Sequence, residues 1–169
     1  MSRTLAERFR TQRTDRIRVD GFEVLSMIDI VLDGFMALEV VVESVRDDLD
    51  QALVLRSRTS DLRLVHDGQR DRDPGASGAE VVRLEAGSAM RAEVHGHDAA
   101  NTVIQIWNSW SVAGTPHAWT GNSGILVEPL PSPEGVSLRQ RLWCSDGLGP
   151  PTFEDLVVLL TIGPRALDI

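Results

Sequence analysis

The sequence predicts an all-β protein, an antiparallel β-sandwich or jelly roll of about ten strands preceded by one short N-terminal α-helix. Three observations carry this. Short runs rich in Val, Ile and Leu alternate with polar residues, as half-buried strands do. Gly, Pro, Asp and Ser separate the runs, with no interleaved helical spacing to supply crossover helices. The chain has 169 residues, room for one hydrophobic core and a crowded fit for two. The pattern divides the chain into a basic helical arm at 1–18, a single sandwich domain at 19–163 and a tail at 164–169.

Each element has its own justification. Thr4-Leu-Ala-Glu7 fits a capping box, in which the hydroxyl and the carboxylate each satisfy a free amide, so a short helix should begin near Leu5. Leu5 and Phe9 form too thin an apolar stripe for it to stand alone; it must dock or fray. From Phe22 the spacing becomes that of strands: Val24, Ile28, Ile30 and Leu32 alternate with acids, and Leu38, Val40 and Val42 do the same beyond Asp33-Gly34. Asp-Gly is a two-residue turn signal, so a hairpin across 33–34 is expected. The rival, one long helix over 22–45, is disfavoured by β-branched residues and Gly34. Further strand-like runs stand at 51–58, 62–66, 80–85, 89–95, 102–112, 124–128, 138–144 and 156–162. The segment 67–78 is polar, rich in breakers and expected to be a loop.

Charge and composition exclude several classes of function. Twenty-five carboxylates against 17 basic residues give a net charge of −8, which repels phosphate backbones, so no nucleic-acid partner is expected. The charge is uneven: residues 1–18 carry six Arg beside Glu7 and Asp15, leaving an acidic body. Such an arm suits pairing with the protein's own surface or with a sister subunit, a homo-oligomer clasped by the N-terminal helix. There is no Lys, which removes Schiff-base and Lys-base chemistry. One cysteine, Cys144, precludes an intrachain disulfide. No apolar run of about 18 residues could span a bilayer, and MSRTLAERFR has no signal-peptide core, so a cytoplasmic protein without a membrane partner is expected.

The most unusual stretch is IWNSWSVAGTPHAW, with Trp107, Asn108, Trp110, His117 and Trp119, followed by Asn122. On a strand Trp107 and Trp110 take opposite faces, so one of them should be partly exposed unless a second layer covers it. An exposed indole beside Asn and His is what a carbohydrate-like or peptide ligand would meet. The acids Asp146 and Asp155, near the ends of the last two expected strands, would close on one sheet edge if those strands pair. They form either an oxygen-rich calcium loop with Asn122 or Asn108, or an acidic rim paired with arginines such as Arg139 and Arg141.

Two family resemblances attach to short motifs. His95-Gly-His97 followed by His117 resembles the cupin metal pattern over about residues 87–122 and implies a divalent metal on His95, His97 and His117. The glutamate that this pattern places after the second His is absent, with Asn101 and Thr102 there instead. Gly121-Asn122-Ser123-Gly124 is similar to the nucleophile segment of chymotrypsin-like serine proteases, with His66 and Asp98 upstream in the family's order; Ile125 and Leu126 depart from it. A non-enzymatic binding module with no resident cofactor is therefore expected, recognising a protein or carbohydrate-like ligand through Trp107, Asn108, Trp110, His117, Trp119, Asn122, Asp146 and Asp155. The alternatives are a metal-dependent jelly-roll enzyme and a structural subunit.

Overall fold

Thr4 starts the first element as its spacing predicts. Its Oγ1 accepts from the Glu7 amide at 3.3 Å, and Glu7 Oε2 accepts from the Thr4 amide at 2.8 Å. Helix α1 (Leu5–Gln12) follows and ends at Arg13, whose φ of 51° takes the chain out of the helix. Eight residues do not hold a helix in water. Leu5, Ala6 and Phe9 supply the missing stabilisation by burying one face, and Leu5 and Phe9 pack with Ile17 and Val24 in a small satellite core edged by Leu126 and Phe153.

The structure, a computed structural model, describes residues 2–57, 62–66, 69–70, 79–83, 87–94 and 102–165; for 62–66, 69–70, 79–83 and 94 it describes the backbone alone. Among these residues the strands are β1 (Arg16–Val19), β2 (Phe22–Leu25), β3 (Ile28–Leu32), β4 (Met36–Val45), β5 (Asp50–Ser57), β6 (Leu62–His66), β7 (Gln69–Arg70), β8 (Ala79–Arg83), β9 (Ala89–Val94), β10 (Thr102–Val112), β11 (Thr115–His117), β12 (Gly124–Pro129), β13 (Leu138–Ser145) and β14 (Leu156–Pro164). Apart from β7, the segment 67–78 lies outside the described residues.

All pairings are antiparallel. One sheet runs β1-β2-β12-β13-β14-β4-β9-β6-β7; the other runs β11-β10-β5-β8, with β3 also paired to β10. Their facing residues form a single core, with Leu38, Val40, Leu142 and Leu160 from the larger sheet and Ile30, Leu53, Ile104 and Ile106 from the smaller. The fold is thus an all-β sandwich with one short helix. In β3 the alternation is complete, Ile28, Ile30 and Leu32 buried and Asp29 and Val31 exposed, which is what one covered face requires.

The hairpin expected across 33–34 does not form. β3 belongs to the smaller sheet and β4 to the larger, so this turn carries the chain between layers. Backbone handedness explains the difference: two-residue hairpin turns need positive φ at the first turn position, and in type I′ at the second as well, and neither Asp33 nor Gly34 is in that region. Asp33 Oδ1 accepts from Phe35 N–H at 2.8 Å instead. Positive φ pairs occur at Asp20-Gly21 (49° and 83°) and at Ala113-Gly114 (50° and 82°), and these turns close the β1-β2 and β10-β11 hairpins.

Candidate functional site

β10 carries three of the eight residues expected to bind a ligand, Trp107, Asn108 and Trp110, and all three are covered. On the inner face Asn108 is buried and donates to the Ser145 carbonyl at 3.0 Å. Trp110, also inward, is 1% exposed and lies so close to Gly147 that a Cβ there would meet Cζ2 at 2.5 Å. His117 stacks near Trp110, with ring centroids 6.3 Å apart. On the outer face Trp107 is 7% exposed. Of the two alternatives for this pair, partial exposure of one ring or a second layer over it, the structure has the second, with both rings buried. Trp119 lies against Trp107 at a centroid distance of 4.8 Å, and the Arg56 guanidinium sits 5.2 Å from the Trp107 ring.

The acids at the β13-β14 end form an internal lock. Those strands pair, and Asp155 Oδ2 accepts from the Asp146 amide at 2.9 Å. Asp146 is fully buried, with Oδ2 receiving Gln51 Nε2 at 3.1 Å and Oδ1 receiving the Leu148 amide at 2.9 Å. The cation is Arg46, 3.5 Å from Asp146 and 3.6 Å from Asp155, with Asp48 holding its outer side. The hydrogen bond from Arg46 keeps the Asp48 carboxyl below the usual carboxylate range. A solvated rim paired with Arg139 or Arg141 is thereby corrected; Arg141 pairs with Glu43 and Glu128 on the larger sheet's outer face, each at 3.0 Å. Asn122 also has in-chain work: its Oδ1 accepts from Leu5 N–H at 3.2 Å, and its Nδ2 donates to the Gly149 carbonyl at 2.7 Å.

Of the four tryptophans Trp119 is the one exposed at the surface, at 42%. It is also held in place. Its φ is 56°, a conformation that a bulky side chain rarely adopts, and its indole N–H donates to the Ser26 carbonyl at 3.0 Å. Ser26 is tied in turn to the Asp15 carbonyl through its amide at 2.9 Å. Between α1, the turn at 26–27 and Trp119 lies an open groove of about 620 Å³, lined by Phe9, Arg10, Arg13, Asp15, Met27 and Trp119 among others. Phe9 and Met27 make part of the wall apolar, while Arg10, Arg13 and Asp15 place charge on it.

Of the residues expected at the site, only Trp119 lines this groove. Trp107 supports it from beneath, and Asn122 anchors the helix that forms the opposite wall. His95 and His97 lie outside the described residues, as does Asp98, and the side chain of His66 is not described. Among the described residues no three His, Cys, Asp or Glu side chains come together as metal ligands do. Cys144 is buried in the core, and burial pushes its thiol pKa up, which leaves it a small apolar side chain rather than a nucleophile. No helix among the described residues is long and apolar enough to cross a membrane.

Sequence reasoning missed Arg10, Arg13, Asp15, Ser26 and Met27. Their only signal was the thin Leu5 and Phe9 stripe, which required docking without saying where. The docking contact joins residues 117 positions apart, Leu5 and Asn122, and no local pattern encodes it. Compared with protein-family models, with curated proteins and with solved structures, the chain matches none.

Proposed function

We propose that this protein is a non-enzymatic binding module that holds a small carbohydrate-like ligand in the groove over Trp119. One observation carries the reading: an exposed indole is fixed at positive φ, braced by Trp107 and pinned to the Ser26 carbonyl, at the edge of an open groove. Backbone strain in a bulky residue persists only where its surroundings impose it, and such sites cluster where a ligand is met. A rigid ring also gives its contact area with little ordering entropy to lose on binding. The groove volume lies in the range of about 300–1,000 Å³ typical of small-ligand sites. It suits a ligand of a few rings better than a protein partner, which needs about 800 Å² on each side. A clasp between subunits has less support, because Leu5 and Phe9 are already buried against the helix's own chain.

The test is a glycan array probed with the wild-type protein and with Trp119→Ala, both checked for native circular dichroism. Retention of at least one glycan by the wild type, lost in the folded variant, supports the reading. Equal retention by both proteins, or none by the wild type, overturns it.

A further inference from the structure

Resting on that reading, we propose that the groove selects acidic sugars, rings that carry both a carboxylate and hydroxyls, with Arg10 and Arg13 reading the carboxylate. Some guanidinium groups are taken up by carboxylates, Arg16 by Glu23, Arg46 by three aspartates, Arg91 and Arg165 by Glu93 and Arg141 by two glutamates, while Arg3, Arg8, Arg18, Arg56 and Arg139 have no ion pair among the described residues and do not line the groove. Arg10 and Arg13 line the groove and form no ion pair among the described residues; the Arg10 charge acts on the Glu7 carboxyl only through its field. Among the described residues Arg10 donates only through Nε, to the Ala6 carbonyl at 3.3 Å, so both terminal nitrogens remain for a ligand. A helix C-terminus favours a cation in its last turn, but that field asks for no particular direction, whereas these two line the groove that Trp119 also lines.

The rest of the wall narrows the class. Asp15 lines the same groove without an ion pair among the described residues, and Thr14 and Ser26 add hydroxyls. A purely anionic ligand would be repelled by Asp15, and a flat aromatic acid would leave it without a hydrogen-bond donor. A uronic-acid ring answers each group. Its C–H face stacks on Trp119, its carboxylate meets the guanidinium forks, and its hydroxyls donate to Asp15.

The test is isothermal titration of the full chain with trimers of galacturonate, glucuronate and mannuronate, each beside the neutral trimer of the parent sugar. The variants are Trp119→Ala and the double variant Arg10→Gln, Arg13→Asn; Asn tolerates the left-handed backbone at position 13, and both sites are exposed. The wild type should bind at least one acidic trimer about tenfold more tightly than its neutral partner, with the preference shrinking as salt rises. The double variant should bring the two within about twofold, and Trp119→Ala should lose both. Equal affinities in the wild type, or a preference that survives in the double variant, overturn the acid selectivity and leave the Trp119 platform standing. Binding of no trimer at millimolar concentration also overturns this proposal, and the array result then decides the platform independently.

Discussion

Gly147 shows how much a single side chain can matter here. A Cβ at this position would meet Trp110 Cζ2 at 2.5 Å and the Thr120 carbonyl oxygen at 2.6 Å, a buried indole and a backbone atom, neither of which yields easily. Gly147→Ala should therefore lower stability by about 2–3 kcal/mol in urea unfolding. Gly149→Ala, which faces open space at a φ of 71°, should lose only about 1 kcal/mol, so a similar loss for both would contradict the packing account. Glu7 provides a residue-scale pH effect. Hydrogen bonds from the Thr4 amide and, after it, from the Thr4 side chain hold its carboxyl below the ordinary value of 4.5; Thr4→Ala removes the second and keeps the first. The carboxyl's support for the helix start is thus complete above that value and disappears as pH falls through the depressed folded one. An NMR titration of the Glu7 carboxyl carbon should have its midpoint below 4.5 in the wild type and nearer to it in Thr4→Ala. At this scale the sequence was readable where chemistry is local, as in the capping box. For Trp107 it left exposure and cover as alternatives, since strand parity says which way a ring points and not what lies over it.

Pairs of strands are held at their ends by polar locks, and the β13-β14 pair illustrates the energetics. Arg46 is the shared cation of Asp146 and Asp155, whose side chains are 0% and 9% exposed. Arg46→Ala removes the cation that both carboxylates share and should lower the urea midpoint, whereas Arg16→Ala, at an exposed pair with Glu23, should leave it nearly unchanged; equal midpoints for the two variants would contradict the lock. Most strand positions were legible from alternation, and the pairing of β13 with β14 from adjacency. The 33–34 turn was not, because Asp-Gly specifies a turn while φ decides whether the strands on either side stay in one sheet.

The whole molecule comprises a large core between the sheets and a small one under α1. Because the satellite core holds only a few side chains, the helix should open at lower free energy than the sandwich. Phe9→Ala should raise hydrogen exchange across Leu5–Gln12 while β4 and β14 keep wild-type protection. Equal acceleration everywhere would show that the two cores unfold as one. The sandwich was foreseeable from periodicity and length, whereas the groove arises only when the chain's start meets its loop near Asn122. The Trp107–Trp119 contact has an optical consequence. Indoles with centroids 4.8 Å apart and planes tilted by 36° couple their excited states, so the protein should show an exciton couplet in its circular dichroism. One member of that couple borders the groove, so the molecule carries a built-in chromophore pair whose signal changes when an occupant turns or screens the outer ring.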